Sequence, residues 1–284
     1  MATFQGNGVS LYYETRGSGR PVVFVHGTLC DYRSWSAQVE GLSSGYKTVA
    51  YSRRYAFPNA REGDATDSTV QNNAADLAAL VKGLGLEGAH VVGHSYGGFI
   101  SAYFATQYPE LLRSLTLINA AVAPMLISSA SPAAQLGLLL RSPGVALSAR
   151  RLLAGTIETI KEVQGGDPQA ANRVFLPALE NGRRDLPPKP AGFAGVVAAN
   201  ARTLKETTTK FPALTRREAG GIRAPTLVVW GDLSAPWDAR ISQVLSESIP
   251  GAESSVIRGA GHFCLNEKPA EVNERLGSFL ARHS

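Results

Sequence analysis

Ser95 sits in Gly93-His94-Ser95-Tyr96-Gly97, a Gly-x-Ser-x-Gly segment. It lies between an apolar run that reads as a strand (90–92) and a run that reads as a helix (98–108). A serine on such a sharp strand-to-helix turn is forced into strained backbone geometry and presents its hydroxyl at the end of a sheet. Glycines flank it because side chains there would strike the adjoining strand and helix. A serine hydroxyl is inert at neutral pH and needs a base to take its proton. His262, just after the last strand-like run, is the expected base, since an imidazole titrates near neutrality. The backbone N–H of Tyr96 is expected to point at a developing oxyanion, assisted by the start of the following helix. His26-Gly27-Thr28 is expected to supply the second donor, at Thr28. His94 reads as packed inside the turn, and His90 and His283 read as exposed.

These residues need a scaffold, and the pattern along the chain supplies one. Residues 9–15 read as a strand paired with the run near Thr3-Phe4, and 21–25 and 46–51 as further strands. The β-branched run Pro21–Val25 has no alternation and reads as buried on both faces. Leu77, Leu80, Val81 and Leu84 recur at helical spacing within 70–84. Strands follow at 90–92 and 114–118. From 122 to about 220 no clear strand appears; helical apolar runs (136–140, 145–153, 157–163) are broken by Pro and Gly, and 183–192 reads as a loop. A strand at 225–230, a helix at 241–249, a strand at 254–257 and a helix at 269–282 complete the chain. Alternating strands and helices imply an α/β fold with a mostly parallel twisted sheet flanked by helices. Residues 1–121 and 221–284 read as the core, and 122–220 as a helical insertion over one end. In such sheets sites form beyond the carboxyl ends of the strands, where Thr28, Ser95, Asp232 and His262 all fall.

His26-Gly27, Gly93-His94-Ser95-Tyr96-Gly97-Gly98 and Gly261-His262, in that order, resemble the α/β-hydrolase superfamily in its capped, single-domain branch. The resemblance covers essentially the whole chain and implies a serine hydrolase with a catalytic triad, an oxyanion hole and a cap over residues 122–220. Asp31–Trp35, Tyr51–Tyr55 and Pro58-Asn59 resemble a bacterial subgroup of that family. Where most members carry Asp-x-Arg-Gly-x-Gly, this chain has Ser52-Arg53-Arg54-Tyr55. Arg54 or Tyr55 could there meet an anionic or phenolic substrate; Arg53 and Arg54 read more simply as braces for loop carbonyls. The triad acid departs from the family pattern. Its usual position holds Ser234, and the alternative position used by some relatives holds Asn119. Asp232 and Asp238 are nearby substitutes, though Asp232 also reads as a strand-end cap and Asp238 as a helix N-terminal charge. The third member is therefore open among Asp232, Asn119, Ser234 and Asp238. A neutral residue there costs about 10⁴ in kcat.

The substrate pocket is expected to draw on Leu29, Arg54, Tyr55 and Met125, with apolar walls from Leu126, Ile127, Leu136, Leu138–Leu140, Phe175, Phe193, Val196 and Val197. A pocket so lined favours a small, mainly apolar substrate. Basic residues (28 Lys and Arg) exceed acidic ones (23) by five. The excess is scattered, and the four Arg pairs, Arg53-Arg54 among them, read as solvated positions rather than a nucleic-acid surface. Two cysteines, Cys30 and Cys264, make neither a disulfide framework nor a metal cluster, and read as buried free thiols. No secretory signal and no run long enough to span a bilayer is visible, which makes a cytoplasmic protein the expectation. No cofactor, metal or membrane is implied, and the chain reads as a monomer or homodimer.

Three readings follow. The first is an ester, lactone or related carbonyl hydrolase working through an acyl-enzyme at Ser95. The second, prompted by the missing acid, is a cyclase, lyase or C–C bond-cleaving enzyme that uses His262 as a lone base. The third is a non-catalytic ligand receptor. Epoxide hydrolase and haloalkane dehalogenase chemistry is disfavoured, because those relatives place an aspartate where Ser95 stands.

Overall fold

The computed structural model describes residues 2–59, 65–124 and 142–284. Eight strands form one sheet: β1 (Ala2–Gly6), β2 (Val9–Arg16), β3 (Pro21–Val25), β4 (Lys47–Tyr51), β5 (Ala89–His94), β6 (Leu112–Ile118), β7 (Thr226–Gly231) and β8 (Glu253–Ile257). Their spatial order is β1-β2-β4-β3-β5-β6-β7-β8. The first two strands run antiparallel, with Thr3 opposite Tyr12 and Phe4 opposite Leu11, and from β4 onward every pair is parallel. Parallel strands must be joined by crossovers, which lay helices on both faces of the sheet. Alternate residues of one strand accordingly enter two different cores. Val23, Val25, Val91 and Val228 pack with Leu77, Leu80, Phe99 and Ile100. Val22, Phe24, Val92 and Val229 pack with Trp35, Val272, Leu276 and Phe279. This two-sided burial explains why the central strands carry continuous apolar runs.

Among the described residues the helices are α1 (Ser36–Leu42), α2 (Val70–Gly83), α3 (Tyr96–Gln107), α4 (Pro143–Gln164), α5 (Leu176–Leu179), α6 (Phe193–Ala199), α7 (Arg216–Ala219), α8 (Pro236–Ser248), α9 (Cys264–Glu267) and α10 (Pro269–Arg282). Thr69 caps α2 by accepting from the Asn72 amide. The two apolar runs between 145 and 163 fuse into the single helix α4. Helix α8 begins at Pro236, five residues before the expected start at 241, because proline at the first helical position supplies a fixed φ and lacks only an N–H that would have no partner there. That earlier start puts Asp238 in the first turn. Between β6 and β7 the described residues contain helices and loops and no strand. No helix among them is long and apolar enough to cross a membrane.

His90 departs from expectation. It is fully buried, its Nδ1 lies 2.7 Å from Ser114 Oγ, and burial lowers its pKa to about 4. The Arg53-Arg54 pair departs likewise: both side chains are buried rather than solvated, because each meets a buried carboxylate. Arg150, Arg151, Arg183, Arg184, Arg216 and Arg217 are exposed.

Candidate active site

Ser95 closes the turn from β5 into α3 with φ 54° and ψ −122°. This is left-handed backbone that a serine holds only when its surroundings impose it. The crowding is direct. A Cβ on Gly97 would lie 2.2 Å from the Val25 carbonyl oxygen, and one on Gly27 would lie 2.9 Å from the Ser95 Cβ. The chain can bring the His26–Thr28 turn against Ser95 only because both positions are glycine.

His262 hangs from the loop after β8. Its Nε2 lies 2.9 Å from Ser95 Oγ, and its Nδ1 lies 2.7 Å from Asp238 Oδ2. A carboxylate can only accept, so Nδ1 carries the proton and Nε2 is left as a bare base facing the serine hydroxyl. Asp238 is fully buried. Its Oδ2 also accepts from Asn119 Nδ2 at 2.8 Å, and the same amide donates to Ser234 Oγ at 2.8 Å. The four candidates for the third position thus separate. Asp238 meets the histidine. Asn119 and Ser234 do not meet the histidine: Asn119 bonds to Asp238, and Ser234 bonds to Asn119. Asp232 is exposed, and its Oδ1 accepts from the Gly259 amide at 2.7 Å, the strand-end cap that the sequence also allowed. Asp238 was legible as a helix N-terminal charge; that the first turn of α8 reaches His262 depends on where the helix starts.

His94 braces this assembly from below. Its Nε2 donates to the His262 carbonyl at 2.9 Å, and burial, followed by the neighbouring His262, lowers its pKa to about 3. Cys264 and Cys30 are buried free thiols. Cys264 Sγ donates to Asn119 Oδ1. Burial raises both thiols, Cys30 to about 12, so neither is a thiolate near neutrality.

On the other side of Ser95 the His26–Leu29 turn carries the expected second donor. Among the described residues neither the Thr28 nor the Tyr96 amide N–H has a protein acceptor. Tyr96 opens α3, where the first amides have no carbonyl one turn back. Leu29, expected to line a pocket, is buried at φ 62° next to this turn. Arg54 is not directed to Ser95: its guanidinium meets Asp76 on α2 at 2.7 Å and Asp67 at 3.1 Å, which leaves no charge for a substrate. Tyr55, at φ 63°, shares Asp67 with it. The side chain that braces loop carbonyls is Arg53, through the carbonyls of His26 (2.9 Å) and Gly27 (3.2 Å). Met125, Leu126, Ile127, Leu136 and Leu138–Leu140 lie outside the described residues. Of the remaining wall residues, Phe193 packs on Phe263 at 4.9 Å between ring centres, and Phe263 in turn packs on His262 at 5.1 Å. Trp237 closes another edge of His262 at 6.0 Å.

Comparisons with known proteins agree with this frame. Residues 20–269 match the family model for the alpha/beta hydrolase fold. The chain is 27% identical over 281 residues to a putative carbamate hydrolase of Azorhizobium caulinodans, covering 98% of each chain. It is 23% identical to epoxide hydrolase 3 of Xenopus tropicalis, covering 96% of this chain and 75% of that one. Among solved structures, an esterase from Exiguobacterium antarcticum superposes with a TM-score of 0.76 at 18% identity over 97% of both chains. With the strand order, the turn at Ser95 and the family match together, the chain belongs to the alpha/beta hydrolase fold family and is a hydrolase.

Proposed function

We propose that this hydrolase cleaves esters, lactones or related acyl compounds through an acyl-enzyme on Ser95, with His262 as base and Asp238 as the triad acid. The observation that carries the reading is the unbroken chain Ser95 Oγ, His262 Nε2, His262 Nδ1, Asp238 Oδ2 at 2.9 and 2.7 Å. As Ser95 Oγ bonds to the substrate carbonyl carbon, its proton passes to His262 Nε2, and Asp238 stabilises the imidazolium. The carbonyl electrons move to oxygen, which the Thr28 and Tyr96 amides receive. Collapse breaks the bond to the leaving alkoxide, which takes the proton from His262. Water then repeats the sequence on the acyl-enzyme and frees the acid. With a carboxylate on His262, the absent acid that favoured a lone-base cyclase or lyase no longer argues for one. Epoxide hydrolysis is not proposed, since serine and not aspartate occupies the turn.

In this reading residues 1–121 and 221–284 are the catalytic core and 122–220 the cap. Phe193 and Phe263 beside His262 favour an apolar acyl or alcohol group. The test is intact mass after exposure to a fluorophosphonate. The wild type is expected to gain one adduct on Ser95, Ser95→Ala none, and His262→Ala and Asp238→Asn to label far more slowly. An unlabelled wild type, or undiminished labelling of His262→Ala, would overturn the proposal.

A further inference from the structure

The connection between β6 and β7 includes a 3₁₀ segment, Ala201–Thr208, immediately preceded by Asn200. A 3₁₀ helix has three residues per turn, so residues three apart stack on one face, and runs of eight are uncommon. Here that face carries Asn200, Thr203 and Glu206, and all three are buried. Burying polar side chains in register is costly unless each has partners; besides local bonds to the Val196 and Asn200 carbonyls, the three side chains reach residues of the segments 28–31, 53–57 and 68. Asn200 Nδ2 donates to Asp31 Oδ2 at 2.7 Å, and its Oδ1 accepts from the Phe57 amide at 2.7 Å. Thr203 Oγ1 accepts from the Leu29 amide at 3.1 Å. Glu206 accepts from Thr28 Oγ1 at 2.7 Å and from Ser68 Oγ at 3.0 Å, and takes Arg53 through two contacts at 2.7 and 2.9 Å. Arg53, neutralised in this way, spends its remaining donors on the His26 and Gly27 carbonyls and on Asn73.

Consecutive residues of one turn, 26 to 29, are therefore each held by the 3₁₀ segment or by the arginine it neutralises. We propose that Thr203 and Glu206 are positioning residues: they fix the His26–Leu29 turn so that the Thr28 amide stays aimed at the oxyanion. Leu29 at φ 62° supports this. A leucine keeps left-handed backbone only where its neighbours over-determine it, and the Thr203 hydroxyl on its amide is one of those constraints. The contact has a further effect. By occupying the Leu29 N–H, Thr203 leaves the adjacent Thr28 N–H as the free donor. The inference rests on the reading of Thr28 as an oxyanion donor, and adds that the β6–β7 connection builds the oxyanion side as well as covering the site.

The test needs no natural substrate. Phosphonylation of Ser95 by a fluorophosphonate also develops negative charge on an oxygen facing the oxyanion donors, so its second-order rate reads their placement. Thr203→Val and Thr28→Val delete the two hydroxyls. They are expected to label about tenfold to a hundredfold more slowly than wild type, as a misplaced donor should. The loss should be the same factor at every pH, because the His262 relay is untouched, and Thr203→Ser and Thr28→Ser should recover most of the rate. If Thr203→Val does not fold, Thr28→Val tests the turn's other tie to the 3₁₀ segment, the bond from Thr28 Oγ1 to Glu206. Rates within twofold of wild type in a folded Val variant would overturn the inference and leave the acyl-enzyme reading standing. So would a shifted pH profile, which would place the damage in the relay. Absence of labelling in the wild type would remove the acyl-enzyme reading itself, and this inference with it.

Discussion

On one side of Ser95 lie Asn119, Ser234 and His262, from the loops after β6, β7 and β8, and Asp238, from the first turn of α8; they are linked through single hydrogen bonds. On the other side, the His26–Leu29 turn is enclosed by an ion pair, Arg53–Glu206, whose side chains are 1% and 0% exposed. The first side, in the proposed mechanism, has to let a proton move, and its parts are few and linear. The second, in the proposed mechanism, has to keep the Thr28 amide still, and it is cross-linked by charge. Damage should therefore show as lost chemistry on the first side, and as lost stability together with slower chemistry on the second.

The largest effect separates them most cleanly. Ser95→Ala or His262→Ala should lower kcat by about 10⁶, since members of such a unit fail together. The thermal midpoint of Ser95→Ala should stay close to that of wild type, because only a hydroxyl is removed, whereas His262→Ala also empties a buried ring position between Trp237 and Phe263 and should lower it. Steady-state rates and melting curves on the same samples check both halves. Asp238→Asn should cost about 10⁴ in kcat, because an amide can hold the wrong imidazole tautomer and offers no charge. Asp232→Asn should stay within about twofold, as capping costs act on stability and not on the reaction. Equal losses at the two positions would mean that Asp238 is not the acid.

The other side should fail differently. Arg53→Met leaves Glu206 buried without its counter-charge, and removing one partner of a buried pair costs about 3–5 kcal/mol. The double variant Arg53→Met/Glu206→Leu should recover much of that in urea unfolding while remaining catalytically slow. The charge would then be gone, but so would the grip on the His26 and Gly27 carbonyls. A double variant as active as wild type would show that the cage holds the fold only.

Sequence patterning carried the sheet and the order of the segments that bring Ser95, His262, Thr28 and Tyr96 to one place, because those positions are dictated by local rules: β-branched runs, glycines beside a turn, a histidine after a strand. It left the carboxylate that meets His262 open because Asp238 reaches it only through the start of α8 at Pro236, and a helix boundary shifted by a few residues changes which side chain faces inward. It missed the cage for a different reason. Glu206 lies 153 residues from Arg53, and an arginine pair in sequence carries no mark of burial. The one available signal was polar spacing by three at Asn200, Thr203 and Glu206, a period that helix and strand templates do not use.

Histidines on the two sides differ in the same sense. His262 faces Ser95 and, in the proposed mechanism, gains and loses a proton, whereas burial keeps His26 and His94 neutral. Burial, then Arg53, holds His26 well below its ordinary pKa, and burial holds His94 at about 3. In the unfolded chain both return to about 6.5. Below that pH the unfolded chain binds protons that the fold refuses. Stability is thus complete above pH 6.5 and declines as pH falls toward the folded values. Two such groups give a slope approaching about 2.7 kcal/mol per pH unit. His90 acts in the same direction, and Glu267, raised by burial, acts against it at more acid pH. Urea unfolding at pH 7.5 and 5.5 should differ by about 3 kcal/mol from this source. His94→Gln should remove about a third of the slope that His26, His90 and His94 give together, and an unchanged slope would mean that His94 is not held neutral.

The smallest effect is the control on the cage. Arg216 and Glu247 repeat the chemistry of Arg53 and Glu206, an arginine on a glutamate at 3.1 Å, but both side chains are 52% exposed. In water the charges are already solvated, so bringing them together gains little and orders two long side chains. Exposed pairs of this kind contribute about 0.2–1 kcal/mol. Arg216→Gln should therefore shift the urea midpoint only slightly, and less still in 0.5 M salt, where charges are screened beyond about 4 Å. The shift produced by Arg53→Met should survive the same salt, because ions cannot enter a site closed to solvent. If salt erased both shifts alike, the Arg53–Glu206 pair would have to be reached by water, and a solvated pair could not hold the His26–Leu29 turn in one place.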